Sequence, residues 1–493
     1  MGNWHGQAGT LASWLALFVV SLGPVWGCRP EQRGKAYLLG SRLELFLDRT
    51  LIDRMDGLDL RLHSPRAAEI SITCDRPWEG PNTGYVTVLK DGETFRMYYP
   101  SDRGGSGEHS LVPVAESKDG IAWTRPQLGL VGYKGSKQNN LILAADHASN
   151  FAPFVDTNVN ALPSQRYKAF VGDSEAIFAF ASPDGIHWSK LDETPMFTQP
   201  PFDSQNVAFW DSAFNQYVAY MRGSVRADGT EVKTSPWFED FKGGLGLRAI
   251  RRSTSKDFLR WTTPELIQFE KGFSEHLYTN AITPYFRAPH FYVGMPMRFV
   301  PQRKKIAAHG SSGVSDTIFI SSRDGEGWNQ TFREALLRPG LDSLNWTDRN
   351  LIAASGIVPT RDNEISVYYV ENYRHPTNRI RRGVLRVDGF VSVYAPYRGG
   401  FFGTRPLMFE GRLLAINYST SAVGSIRVEI QDENGKPFPG FSLEDCEEIF
   451  GDEISHRVSW RKGSDVSSLA GQSVRLRFAM KDADLYSMQF AYE

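Results

Sequence analysis

The sequence predicts an all-β protein: a five-bladed β-propeller followed by a C-terminal β-sandwich of jelly-roll style. Three observations predict it. Short segments rich in aromatic and β-branched residues follow one another with almost no helical periodicity after residue 30, and aromatics make up 13% of the chain. One turn motif recurs: "SKDGIAW" ends at Trp123, "SPDGIHW" at Trp188, "STSKDFLRW" at Trp261 and "SRDGEGW" at Trp328, and "RVDGFVSV" carries Phe390 near the Trp position. The interval, about 60 to 75 residues, is that of a repeated supersecondary unit. From Gly399 the repeat stops while apolar–polar alternation continues.

A chain of 493 residues exceeds one ordinary core and divides into parts. Residues 1–28 read as an export signal, because the apolar run Leu11–Leu22 is too short to span a bilayer. Gly27 before Cys28 makes that cysteine a candidate lipid anchor, so the expected location is the periplasm or cell surface. Residues 41–398 are expected to form the propeller. Its units run from Glu79 through "GYVTVL" and "TFRMYY", from Asp156 through "RYKAFV", from Asp203 through "NVAFWD" and "NQYVAYMR", from Glu275 through "TNAITPYF", and from Asp348 through "ASGIVPT" and "ISVYYVENY". In each box Asp-Gly makes a tight turn, Ser or Asp bonds the turn backbone, and Trp packs between neighbouring sheets. Residues 399–493 alternate around turns such as "DENGKPFPG" and read as the sandwich.

Net charge is −1, so the totals point to no nucleic-acid partner. There are three cysteines. Cys74 and Cys446 are left either as buried thiols or as a bridge between the two parts. No CxxC or HExxH pattern appears, so no zinc site is expected, and calcium is a candidate for the channel although no ligand loop announces it.

A propeller brings the starts of its innermost strands to one mouth of a central channel. The acids that open the units, Glu79, Asp156, Asp203, Glu275 and Asp348, are therefore the candidates to meet there. Carboxylates sharing a funnel repel, which separates an acid from a base as glycoside hydrolysis requires. Asn206, Arg222, His276, Tyr278, Asn280, Arg287 and Arg349 are the candidate substrate-binding groups beside them, a set suited to sugar hydroxyls. His276 and His290 read equally well as satisfied core residues.

The boxes resemble the sialidase Asp box, S-x-D-x-G-x-x-W, with one residue between Asp and Gly missing. The chain is similar to the five-bladed propeller glycosidases of families 32, 43 and 68. It looks more closely like an exported, glycosyl-hydrolase-like family of planctomycete-type bacteria, through "LELFLDRTLIDRMDGLDLRLHSP", "FDSQNVAFWD", "EHLYTNAITPYFRAPHFYVGMPMRF", "SDTIFISSRDG", "LRVDGFVSV" and "INYSTSAVGSIRVEIQDENGKPFPGF". The broad resemblance implies a nucleophile or base on the first blade (Glu79 or Asp75), an Asp on the second (Asp156) and an acid on the third, where Asp203 stands in place of Glu; Glu275 is the alternative acid. The implied activity is cleavage of a poly- or oligosaccharide. A non-catalytic glycan-binding propeller and a cell-surface assembly module are the other readings of the same scaffold.

Overall fold

The structure, a computed structural model, describes residues 36–101, 110–145, 148–172, 175–199, 202–226, 229–231 and 246–493. The expected signal of residues 1–28, with Cys28, lies outside the described residues. The described chain is all-β: strands, turns and four short 3-10 turns.

The first sheet runs Thr87–Asp91, Thr94–Tyr98, Ser110–Ser117, Leu141–Ala145, each strand antiparallel to the one before. The second runs Ala152–Val155, Tyr167–Gly172, Ile177–Ser182, Ser189–Lys190. The third runs Val207–Asp211, Gln216–Arg226, Gly246–Ser255, Glu265–Leu266. The fourth unit is split. Thr283–Tyr285, Ala288–Gly294, Ile320–Ser322 and Gly327–Asn329 form one part, with Gln268–Phe269 on its edge, and His276–Leu277, Met297–Val300 and Val314–Thr317 form the other. In the fifth, Ile352–Ala353 and Val358–Arg361 pair with Glu364–Glu371, then come Arg379–Arg386 and, at the outer edge, the early strand Arg66–Thr73. First strands of the first three sheets touch in succession, the third sheet touches the fourth, the fourth the fifth, and Val358–Arg361 touches Thr87–Asp91.

The boxes explain how neighbouring sheets lock. Ser117, Ser182, Ser255 and Ser322 accept on Oγ from the N–H three residues on, at 2.9, 2.8, 2.9 and 2.9 Å. Asp119, Asp184, Asp257 and Asp324 each accept two following N–H groups on Oδ1. These bonds hold the turn residue at positive φ, which glycine adopts at 120, 185 and 325 and Phe258 adopts at +68°. The ring that closes each box then meets an aromatic of the preceding sheet: Trp188 on Tyr98, Trp261 on Phe170, Trp328 on Tyr220, Phe390 on Tyr285 and, returning to the start, Trp123 on Tyr368. Tyr98 and Tyr220 also donate to the Gly185 and Gly325 carbonyls at 3.0 and 2.7 Å.

Of the remaining strands, Tyr37–Gly40 pairs separately with Leu407–Phe409, and eight build a C-terminal sheet around the long partners Leu413–Gln431 and Arg475–Ala491. It does not begin at 399. Leu43–Leu45, Ile52–Asp56, Asp59–Leu62 and Val391–Ala395 all pair within it. The expected boundaries at 41 and 399 followed where the repeat runs in sequence, whereas these strands find partners hundreds of residues away. Cys74 and Cys446 are free and buried in separate cores, so they form no bridge.

Candidate functional site: a cationic, aromatic mouth

In these antiparallel sheets the starts of the first strands lie at the same end as the loops between second and third strands. The boxes, between third and fourth strands, lie at the other end. The first end gathers the segments around 83–86, 202–206, 275–280, 347–351 and 371–379.

Gln205 ties this end together. Its Nε2 donates to the Tyr85 and Val86 carbonyls at 2.9 and 3.0 Å and to Thr87 Oγ1 at 3.0 Å, linking third sheet to first. Asn280 Nδ2 donates to the Gln205 carbonyl at 3.2 Å from the fourth unit. Asn206 Nδ2 donates to the carbonyls of Phe202 and Ser204 at 2.9 and 3.0 Å, and its Oδ1 accepts the Arg222 N–H at 3.0 Å. The backbone on both sides of Asp203 is thereby fixed. Asp203 itself is half-buried and makes no hydrogen bond or ion pair among the described residues. Its charge is felt by Tyr85, whose phenol is raised well above its ordinary range by burial, then by Tyr278 and Asp203.

Beside Asp203 two guanidinium groups share one ring. Arg222 and Arg248 stand 4.4 and 4.7 Å from the centre of Tyr278, and Arg248 is also 5.3 Å from Phe299. Arg222 Nη2 donates to the Tyr278 carbonyl at 2.9 Å. The Arg248 N–H donates to His276 Nδ1 at 3.1 Å, an arrangement that needs Nδ1 unprotonated. Burial, then Arg248 and Arg222, push His276 down to about 4. Burial and Arg222 likewise push Arg248 down to about 10.

The other side of the mouth is centred on buried Asp348. It accepts from His309 Nε2 at 2.6 Å, Arg349 Nε at 2.8 Å and Arg374 Nη1 at 3.1 Å. Burial opposes its charge, but His309 and the two arginines outweigh it and hold the carboxyl below its ordinary value. Tyr85, Arg349, Asn372 and Arg374 all sit at positive φ (49°, 59°, 58° and 69°). Non-glycine residues reach that region at a cost, and such strain gathers at functional sites.

Several expected residues are elsewhere or otherwise engaged. Glu79 is 1% exposed, with its carboxylate bound by Arg125 Nε at 2.7 Å, Arg125 Nη2 at 3.1 Å and Tyr99 Oη at 3.0 Å. Asp156 follows the second sheet's first strand instead of opening it, so it lies at the box end. There it pairs with Lys168 and accepts from Tyr217 at 2.7 Å. Asp91 and Asp211 accept from Tyr167 and Tyr292 at the equivalent place, which marks Asp156 as one of a structural series. Glu275 pairs with Arg298 at 3.4 Å, and Arg298 is also held by Asp316. Arg287 belongs to the junction with the C-terminal sheet, where it binds Asp388 at 2.6 Å together with Tyr285, Asn417 and Ser487. Asn206 and Asn280 are buried positioning groups. A cleft of about 440 Å³ lies at the box end, lined by Lys90, Lys118, Arg287 and Arg361 among others, away from the mouth. Tyr85, Arg248, His309, Tyr373 and Arg374 were not singled out by sequence; only Arg248, within the alternating "LRAIRR", carried a readable cue. Among the described residues no group of three or more His, Cys, Asp or Glu side chains is placed to hold a metal ion.

No protein-family model and no curated protein matches the chain. Among solved structures it is similar to a glycoside hydrolase, at 13% identity and TM-score 0.43 over 66% of this chain and 92% of that one. It is similar to a family 43 arabinoxylan arabinofuranohydrolase from Bacillus subtilis in complex with cellotetraose, at 12% identity and TM-score 0.39 over 87% and 99% of the two chains. A fructofuranosidase from Schwanniomyces occidentalis complexed with fructosylnystose matches at 11% identity and TM-score 0.36 over 88% and 98%.

Proposed function

We propose that the protein is a carbohydrate-active hydrolase, exported from the cytoplasm, that cleaves a glycosidic bond at the mouth. The scaffold in this reading is a five-bladed β-propeller braced by a C-terminal β-sandwich. The cyclic contacts between successive sheets support the first part, and the eight-stranded sheet around its own core supports the second. Export rests on the apolar run Leu11–Leu22 of the sequence.

The observation that carries the reading is Asp203: a half-buried carboxylate, held in place by Asn206 and uncommitted to any partner among the described residues, where sheets one, three and four converge. In this role it attacks the sugar or takes the proton of the attacking water. Tyr85, Arg248 and Arg349, each half-buried, supply a ring face and donors of the kind sugars require, while Tyr278 and Arg222 are buried behind them.

A second reading, glycan binding without cleavage, is favoured by one specific fact. Glu79, Asp156, Glu275 and Asp348 are all spent in ion pairs, which leaves the proton-donating partner of Asp203 unassigned. Screening the purified protein against aryl glycosides and plant and algal polysaccharides separates the two. Product release that is lost in Asp203→Asn, with the fold intact, supports cleavage. Binding without release establishes the second reading, and neither binding nor release overturns both.

A further inference from the structure

Cleavage at Asp203 calls for a proton on the departing oxygen. The acids that open the other units are each tied to a cation, and a carboxylate paired with a cation is a poor proton donor. Another group at the mouth is built for the task. The loop of residues 301–313 joins Met297–Val300 to Val314–Thr317, so it stands at the mouth end of the fourth unit. It carries His309, whose Nε2 meets Asp348 Oδ1 at 2.6 Å.

The Asp348 side chain is 2% exposed. Its other oxygen accepts from Arg349 Nε at 2.8 Å and Arg374 Nη1 at 3.1 Å, which keeps the carboxylate charged. A fixed carboxylate on one nitrogen of an imidazole places a hydrogen there, sets the plane of the ring and stabilises its protonated form. The second nitrogen is then left to work. His309 Nδ1 has no partner among the described residues and is open to solvent. The loop is tethered on both sides of this ring. The His309 N–H donates to the Ile306 carbonyl at 3.2 Å, and Ser311 Oγ accepts at 2.9 Å from the same Arg374 nitrogen that binds Asp348. Charge balance alone does not account for the imidazole, because two arginines already outweigh the one charge of Asp348. The pair also shares its opening with Asp203: Arg349, which holds Asp348, and Asp203 both act on the charge of Arg248.

We propose that His309, positioned by Asp348, is the general acid that protonates the leaving oxygen while Asp203 serves the attacking side. This deepens the hydrolytic reading above and rests on it. In the water route, the water oxygen forms the new bond to the anomeric carbon as the bond to the leaving group breaks. The electron pair of the broken bond goes to the leaving oxygen, which takes the proton from His309 Nδ1. Asp203 takes one proton of the water and passes it to solvent. The imidazole, its Nε2 hydrogen still on Asp348, regains a proton from solvent.

Matched phenyl and dinitrophenyl glycosides of arabinose, xylose, galactose and glucose, in both anomers, test it on the full chain. Dinitrophenolate departs without a proton, whereas phenolate needs one. His309→Gln is expected to lower kcat/KM at least about 100-fold on the phenyl glycoside and less than about fivefold on its dinitrophenyl partner, the split that loss of a general acid produces. Added imidazole is expected to restore turnover of the phenyl glycoside in His309→Ala, which a loss of structure would not allow. Asp348→Asn, checked for an unchanged circular dichroism spectrum, is expected to show the same split in smaller measure. An equal effect of His309→Gln on both glycosides, large or small, overturns the assignment and leaves cleavage through Asp203 standing. No release from any pair by the unaltered protein overturns both.

Discussion

The Tyr217 hydroxyl donates to Asp156 Oδ2 at 2.7 Å from the neighbouring sheet, and the same oxygen receives the Lys168 ammonium. Both charged side chains are almost wholly buried, at 0% exposure for Asp156 and 3% for Lys168. Asp156→Asn removes one charge and leaves the other stranded, which costs about 3–5 kcal/mol. A lowered urea midpoint with the mouth chemistry unchanged in the surviving folded protein is the expected outcome.

Asp203 behaves in the opposite way. Asp203→Asn breaks no bond among the described residues, so stability is expected to move by less than about 0.5 kcal/mol. If cleavage is the function, turnover drops by at least about 100-fold, the worth of a positioned acid or base. Thermal melting and product release on the same preparation check both halves.

Gly185 combines φ +79° with a Cβ position only 2.7 Å from Tyr98 Oη. Gly185→Ala is therefore expected to destabilise by about 1–3 kcal/mol. Phe258 tolerates a side chain at the equivalent turn because the preceding sheet presents Phe170, which has no hydroxyl there. Tyr98→Phe removes one of the two nearest obstructing atoms, the other being Arg96 Nη1 at 2.8 Å, so a double-mutant cycle should show Gly185→Ala costing less, though not nothing, in that background.

Acid weakens the fold through its histidines. His276 and His290 are each lowered to about 4 from 6.5, chiefly by burial and then by nearby arginines. Between pH 6.5 and 4 the unfolded chain binds protons that the folded chain refuses, so stability falls as pH falls across this window and these two groups add no further loss well below 4. A His276→Gln, His290→Gln variant is expected to show a shallower decline in melting temperature from pH 7 to 4.5.

The boxes were legible because they are local: Ser, Asp and the residue at positive φ lie within four positions, and their hydrogen bonds depend on little else. The mouth was only partly legible. Asp203, Arg222, His276, Tyr278, Asp348 and Arg349 were named from their segments, but Tyr85 joins them across more than one hundred residues, and His309 and Arg374 reach Asp348 from other loops 39 and 26 residues away. Asp156 was misplaced by register. Its unit was read as starting at the acid, whereas its first strand is Ala152–Val155 and the acid ends it. The C-terminal boundary failed for a related reason: "LDLRL" displays strand alternation but carries no sign of which strand it will join.

The strand Arg66–Thr73 waits for Arg379–Arg386, and Leu43–Leu45 waits for the last strand of all. At ribosomal speeds of about 5–20 residues per second, the 313 residues between Arg66 and Arg379 take about 16–60 s to synthesise. Throughout that interval the early strands have an open edge and no mate, the state most prone to mispairing. Nascent chains stalled before residue 379 should stay open to protease within 66–73, and full-length chains should not. The pairing of Arg66–Thr73 is thus a clasp that can fasten only once residues 379–386 have emerged.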